Sequence, residues 1–258
     1  MDIQSFHSTV GGGLGNRLLD LLELFRHVEL HEDQALAKNN WDWVTWPNNF
    51  NCQCDFHDIF NIIDSQRFQV IQSNQTETPK GVQVCRTSEP PWQQLVRERR
   101  LWARMFRCIQ FKATETASQP ADIAIHLRGT DAPGGFSAAA CRAFMRTFVK
   151  THLPRPQSIL LCTNDQTLLD VCIVEFGEYH VPREYCTVGK IMPGGWHLSA
   201  PVAGIRRYNV WRSKTQVQAA VEDLVRMTRA KQLFGGPSSK GSTFYQCAVA
   251  LRSAKLLI

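Results

Sequence analysis

The chain has no uninterrupted apolar run long enough to span a bilayer, so no membrane-crossing helix is expected. Behind its opening Met-Asp-Ile-Gln there is neither a basic stretch nor an apolar one, so no secretory signal is expected. No Asp-x-Asp pair is present to carry a divalent cation, and no Gly-Lys-Ser/Thr follows a glycine-rich stretch, which excludes a Walker phosphate loop. Cys52, Cys54 and His57 are metal-ligand types, but no second cysteine pair stands at zinc spacing, so no metal site is expected. Charged residues make up only 20% of the chain and apolar ones 43%, which excludes wholesale disorder and leaves enough for a real core. Acids are the scarcer charge, 23 against 29 basic residues; the net +6 suits an anionic ligand without identifying one.

Cysteine is not scarce. The nine residues, at 52, 54, 85, 108, 141, 162, 172, 186 and 247, are odd in number and several lie inside apolar runs. They read as reduced core residues, and a cytoplasmic location is the expectation. On that reading the Asn74-Gln75-Thr76 sequon is accidental.

Periodicity organises the rest. Residues 3–10 read as a short strand, a Gly11–Gly15 loop follows, and Leu18, Leu21, Leu22 and Phe25 mark a helix with a wide apolar face. Residues 39–66 carry no clear period; Gln69–Ile71 reads as a strand and 72–81 as loop. Trp92–Phe111 is expected to be one helix. The small polar stretch 113–120 is the expected boundary between residues 1–115 and 116–258. Beyond it, strands at 123–126, 158–162, 185–188 and 232–234 alternate with helices at 137–150, 166–176, 214–229 and 239–252, with a further strand at 256–258. That alternation predicts an α/β fold with a parallel sheet.

Four segments carry chemistry. Gly11–Gly15, between strand and helix, can offer free backbone N–H groups to a phosphate, or can be a tight turn needing positive φ; its spacing fails the dinucleotide fingerprint. His126-Leu127-Arg128-Gly129-Thr130-Asp131 ends a buried strand, where ligands bind in open α/β sheets. Arg128 can fork two hydrogen bonds onto phosphate oxygens, or pair structurally with Asp131. Thr163-Asn164-Asp165 ends the next strand, with Asp165 either at a ligand or capping a helix. Gly235–Phe244 joins a strand to a helix through Ser238, Ser239, Gly241, Ser242 and Thr243, whose hydroxyls and helix start suit a diphosphate or serve as a capped connection.

Taken in order, these segments resemble the fucosyltransferase superfamily of inverting glycosyltransferases, which includes the α1,2-, α1,6- and protein O-fucosyltransferases. Gly13-Leu14-Gly15-Asn16-Arg17 is similar to that group's opening motif, and the His126–Asp131 stretch to its H-x-R motif. Thr163–Asp165 stands where the family has its acidic pair, and Gly236–Phe244 is similar to its small-residue motif before the last helices. The resemblance implies a GT-B-like arrangement of two facing Rossmann-like domains. Residues 1–115 would be the acceptor side and 116–258 the nucleotide-sugar side. It also implies a GDP-fucose donor, a glycan or glycoprotein acceptor, inversion at the anomeric carbon, and neither metal nor cofactor. Gly13, Gly15, Asn16, Arg17, His126, Arg128, Asp165, Ser238, Ser239, Gly241, Ser242 and Thr243 would bind the donor, with Arg128 and Asp131 at the chemistry.

Departures from the family pattern leave the donor open. Gly129 replaces a second basic residue, Ala132 replaces a lysine, 132–136 lacks an acid, and Lys231 stands where some members place an aspartate near the guanosine. A UDP- or GDP-linked xylose donor, or a catalytically silent nucleotide-sugar or glycan-binding module, therefore stands beside GDP-fucose. Asp20, Glu23 and Asp131 are the candidate bases. Trp41, Trp43 and Trp46 form a sugar platform or part of a core. Arg206, Arg207 and Arg212 lie in the long 189–213 loop, within reach of an anionic donor or acceptor. Arg97, Arg99, Arg100, Arg104 and Arg107 make a basic helix, a solvated face by default and an RNA-binding one as the sharper alternative.

Overall fold

The apolar runs around 123 and 159 become the centre of a parallel sheet, and the regular helices after them pack on its two faces. The computed structural model describes residues 4–9, 14–29, 35–40, 55–71, 82–83, 92–112, 120–128, 137–152, 158–163, 166–178, 186–188 and 214–254. In the first half the elements are β1 (Gln4–Thr9), α1 (Leu14–Glu29), β2 (Ala35–Asn40), α2 (Phe56–Ile59), β3 (Phe60–Ile62), β4 (Phe68–Ile71), β5 (Val82–Gln83), α3 (Trp92–Leu95), α4 (Arg99–Cys108) and β6 (Ile109–Phe111). In the second they are β7 (Ile123–Leu127), α5 (Ala138–His152), β8 (Ile159–Thr163), α6 (Gln166–Glu178), β9 (Cys186–Val188), α7 (Lys214–Arg229), β10 (Gln232–Gly235) and α8 (Thr243–Ser253). A 3-10 helix, Pro237–Gly241, joins β10 to α8.

Each half holds a four-stranded sheet with every pair parallel, in the orders β4-β2-β1-β5 and β10-β7-β8-β9. The topology repeats: the first strand of each half has its successors on one side and the last strand on the other. That is the order that begins a doubly wound nucleotide-binding sheet. It puts a topological switch point beside β1 and another between β7 and β10. A small antiparallel pair, β3 with β6, is appended to the first half.

Alternate positions on β7 and β8 face opposite ways. Ile123, Ile125, Leu127, Ile159 and Leu161 pack on Cys141, Met145, Phe148, Leu168 and Cys172 of α5 and α6. Ala124, Leu160 and Cys162 face the other core, with Val217, Val221, Leu224 and Leu251 from α7 and α8. That second core is continuous with Leu18, Leu22 and Phe25 of α1 and with Leu101, Trp102 and Met105 of α4, so apolar packing runs across residue 115. α1 is buried almost all round, including Arg17, Asp20 and Glu23. A helix with so little polar face needs cover on every side.

The single helix expected over Trp92–Phe111 is two helices and a strand. Trp102 donates its indole N–H to the carbonyl of Val96 at 2.7 Å, bracing the break between α3 and α4. Ile109 and Phe111 are buried with Gln110 exposed between them, a period of two that belongs to β6. The helix expected from Ser239 likewise starts later, at Thr243, because Pro237 opens a 3-10 turn and Ser242 caps α8 by accepting from the Tyr245 N–H at 3.3 Å. Residues 72–81 and 256–258, expected as loop and strand, lie outside the described residues.

Candidate functional site

The switch point between β7 and β10 is built by residues from three sequence segments. Parallel pairing puts Gly235 beside His126 at the carboxyl ends of the two strands. The His126 carbonyl accepts from the Gly236 N–H at 2.9 Å and from the Ser239 hydroxyl at 2.7 Å. Ser239 Oγ also lies 2.9 Å from His126 Nδ1. A serine hydroxyl has one proton, already given to the carbonyl, so Nδ1 must be the donor in the second bond. That assigns the neutral ring an Nδ1–H tautomer, with Nε2 the acceptor. His126 and Ser239 are both buried, and the imidazole stacks on Tyr245, centroids 5.4 Å apart at 27°. Burial raises the Tyr245 phenol above its ordinary value.

Two residues beyond His126, Arg128 donates from Nη1 to the Gly241 carbonyl at 3.0 Å. One bond of its planar fork thus fixes the guanidinium beside the turn that leads into α8. Gly235 is needed where it stands: a Cβ there would come within 2.7 Å of the Tyr245 ring and 2.9 Å of Ser239 Cβ.

The start of α1 arrives at the same place. A Cβ on Gly15 would lie 2.5 Å from the Phe244 nitrogen, 2.7 Å from Thr243 Oγ1 and 2.8 Å from the Thr243 carbonyl carbon. The Cys247 thiol donates to the Gly15 carbonyl at 3.8 Å. Gly15 therefore serves close approach of two helices. The first turns of α1 and α8 hold no acidic residue, so two positive helix ends converge unopposed within their own first turns.

The expected site residues fall into three groups. Gly15, His126, Arg128, Ser239, Gly241, Ser242 and Thr243 are gathered here, with Asn16 and the buried Arg17 following Gly15 in the first turn of α1. Ser239 faces inward to His126, so its hydroxyl holds the strand ends together. Gly13, Asp131 and Asp165 lie outside the described residues, as do the side chain of Ser238, the tryptophans 41, 43 and 46, and the arginines 206, 207 and 212. Of the candidate bases, Asp20 and Glu23 are buried in α1. Glu23 lies about 12 Å along the helix from Gly15, held by Arg26 at 2.5 Å and His27 at 3.4 Å.

Lys231 is at the opposite end of the sheet. It precedes β10 and pairs through Nζ with Asp122 Oδ1 at 2.6 Å, before β7 begins. It occupies the amino edge, the full length of the strand away from the switch point.

Sequence reasoning missed Tyr245 and Cys247, just beyond the Gly235–Phe244 segment, as structural parts of the site. The available signal was a glycine at a strand end with an aromatic pair ten residues later. Among the described residues no three His, Cys, Asp or Glu side chains gather as a metal site would require. Cys108, Cys141, Cys162, Cys172 and Cys247 are free and buried, and no helix among the described residues is long and apolar enough to cross a membrane.

No protein-family model matches the chain, and no curated protein matches it by sequence. Among solved structures it is similar to fucosyltransferase NodZ from Bradyrhizobium, with a TM-score of 0.56 at 15% identity. The match covers 96% of this chain and 93% of that one, so the likeness is one of fold and runs through nearly the whole of both.

Proposed function

We propose that the chain is an inverting, metal-independent glycosyltransferase that transfers fucose from GDP-fucose to a glycan. The observation that carries this reading is the convergence of Arg128, the 3-10 turn and the starts of α1 and α8 at a switch point of a parallel sheet. That is a site for an anion with several oxygens, and the diphosphate of a nucleotide sugar is such an anion. The fold likeness to a fucosyltransferase supports the choice of chemistry.

In this reading residues 1–115 and 116–258 are two Rossmann-like halves, acceptor side and donor side. The bond from the anomeric carbon to the diphosphate breaks while the acceptor oxygen bonds to the opposite face of that carbon. Negative charge grows on the leaving diphosphate, where Arg128 and the helix starts meet it. His126 and Ser239 are positioning residues that hold the two strand ends in register. The acceptor hydroxyl proton goes to a base, for which Asp20 and Asp131 remain candidates, because Glu23 is clamped by Arg26 within α1.

Titration of GDP, UDP and their fucose and xylose conjugates by heat of binding, in EDTA, tests the reading. GDP-fucose should bind, and donor hydrolysis and transfer should persist in the chelator. A preference for UDP would move the donor assignment, and loss of turnover restored by magnesium or manganese would refute metal independence.

A further inference from the structure

The outer face of α4 has no part in the site described above. Its inner face, Leu101, Trp102, Met105 and Cys108, is buried in the core. At 100° per residue, Arg99, Arg107, Arg100 and Arg104 fall in an arc of about 140° on the other side, with Ala103 as the one uncharged residue among them. Arg99, Arg100 and Arg107 are exposed and make no salt bridge among the described residues.

The amino end and the like-charge spacing are unfavourable for the helix, whereas Arg107 in the last turn suits its dipole. Arg99 and Arg100 stand in a first turn that has no acid, against the helix dipole. Arg100 and Arg104, and Arg104 and Arg107, are like charges one turn apart. Exposed Arg97 precedes the helix, and Lys112 follows β6 just beyond it. Among the described residues two carboxylates border the patch. Glu98 is exposed at the helix start. Asp64 is spent within its own turn, accepting from the Gln66 and Arg67 N–H groups and lying 3.5 Å from Arg67 Nε.

Ile63 is the second observation. Its N–H bonds to the Cys108 carbonyl at 2.7 Å, which sets it at the end of α4. Its side chain is 54% exposed, one of only three large hydrophobic residues that stand out among the described residues.

We propose that the outer face of α4 and the adjoining Ile63–Arg67 turn dock the protein on an anionic lipid surface. The arginines match the headgroup charge, and Ile63 enters the interfacial layer as an apolar anchor. A soluble polyanion such as RNA would use the arginines and have no use for Ile63, which is why the lipid surface is the better fit.

Sedimentation of the full chain with phosphatidylcholine vesicles, with and without an anionic phospholipid, tests this. Binding should require the anionic lipid and fade at high salt. At about fivefold in partition per basic residue, Arg100→Glu with Arg107→Glu should weaken it more than about 25-fold, and Ile63→Asp by about tenfold. All these residues are exposed, so unfolding midpoints and donor hydrolysis should stay unchanged. Absence of binding to anionic vesicles would overturn the proposal, and so would binding indifferent to the arginine pair. Heparin binding as tight as vesicle binding, together with indifference to Ile63→Asp, would overturn it in favour of a soluble polyanion.

Discussion

Replacing Gly15 by alanine places one methyl group where the starts of α1 and α8 touch. The new carbon would lie 2.5 Å from the Phe244 nitrogen and 2.8 Å from the Thr243 carbonyl carbon, with Thr243 Oγ1 at 2.7 Å. Ordinary contact begins near 3.4 Å, so the shortfall is about 0.9 Å against the Phe244 nitrogen and about 0.6 Å against the Thr243 carbonyl carbon, two backbone atoms that cannot rotate aside. Overpacking of this kind costs about 1–3 kcal/mol, and rigid neighbours put the case at about 2–3. For a chain of this size that is a fall of about 5–10 °C in unfolding midpoint. Relief can come only by parting the two helix starts, so nucleotide-diphosphate affinity should drop as well. Gly241→Ala is the matched control, since a Cβ there meets nothing within 4 Å. It should leave the midpoint unchanged or slightly raised. Thermal unfolding and calorimetric titration of GDP on both variants measure this. A Gly15→Ala protein with the wild-type midpoint would show that the two helix starts do not touch, and the proposed cradle would go with them.

Two further outcomes follow from the ion pairs. The Lys231 side-chain bond, with the Ser158 N–H and hydroxyl, lowers the Asp122 carboxyl from 3.8 to about 2. A depressed acid stabilises the fold above its unfolded value and loses that contribution as pH falls from about 4 towards 2. Both partners are partly exposed, so the contribution is no more than about 1 kcal/mol, and Asp122→Asn should flatten the acid limb of a stability profile in that window. Glu175 is fully buried and held by Arg142 Nε at 3.1 Å and Arg146 Nε at 3.0 Å, both half-exposed. Replacing both arginines by alanine removes both partners of a buried carboxylate and, since the arginines are half-exposed and water can enter where they stood, should cost about 1–3 kcal/mol in denaturant unfolding, whereas Glu175→Leu with both changes should recover much of that.

How much of this was legible in the sequence depended on how local its causes were. β7 and β8 are short apolar runs between turn signals, and α7 shows its period over sixteen residues, so these stood out. β2 did not: Ala35–Asn40 has no β-branched residue, and it is a strand because β1 and β4 pair with it on both sides. The end of α4 was hidden because Ile109 continues the apolar spacing of the helix before it. The site residues were largely visible as motifs, but not their meeting. His126 bonds Ser239 across 113 residues, and the switch point between β7 and β10 exists only once strand order is known. Lys231 shows the converse: close in sequence to the Gly235–Phe244 segment, it sits at the far end of the strand, tied to Asp122.

Substitution of Arg128 tests the central claim most directly. Its hydrogen bond to the Gly241 carbonyl is solvent-exposed, so Arg128→Ala should stay folded, with a loss of about 1 kcal/mol or less. Turnover with GDP-fucose should fall by about 10²–10³, the usual cost of removing one preorganised donor to a charge that grows in the transition state. Arg128→Lys should recover only part of it, since a point charge cannot reproduce the fork. Unfolding midpoint, GDP affinity and turnover are to be measured on the same preparations. A folded Arg128→Ala protein with near-normal turnover would contradict the assignment of this site as the diphosphate cradle.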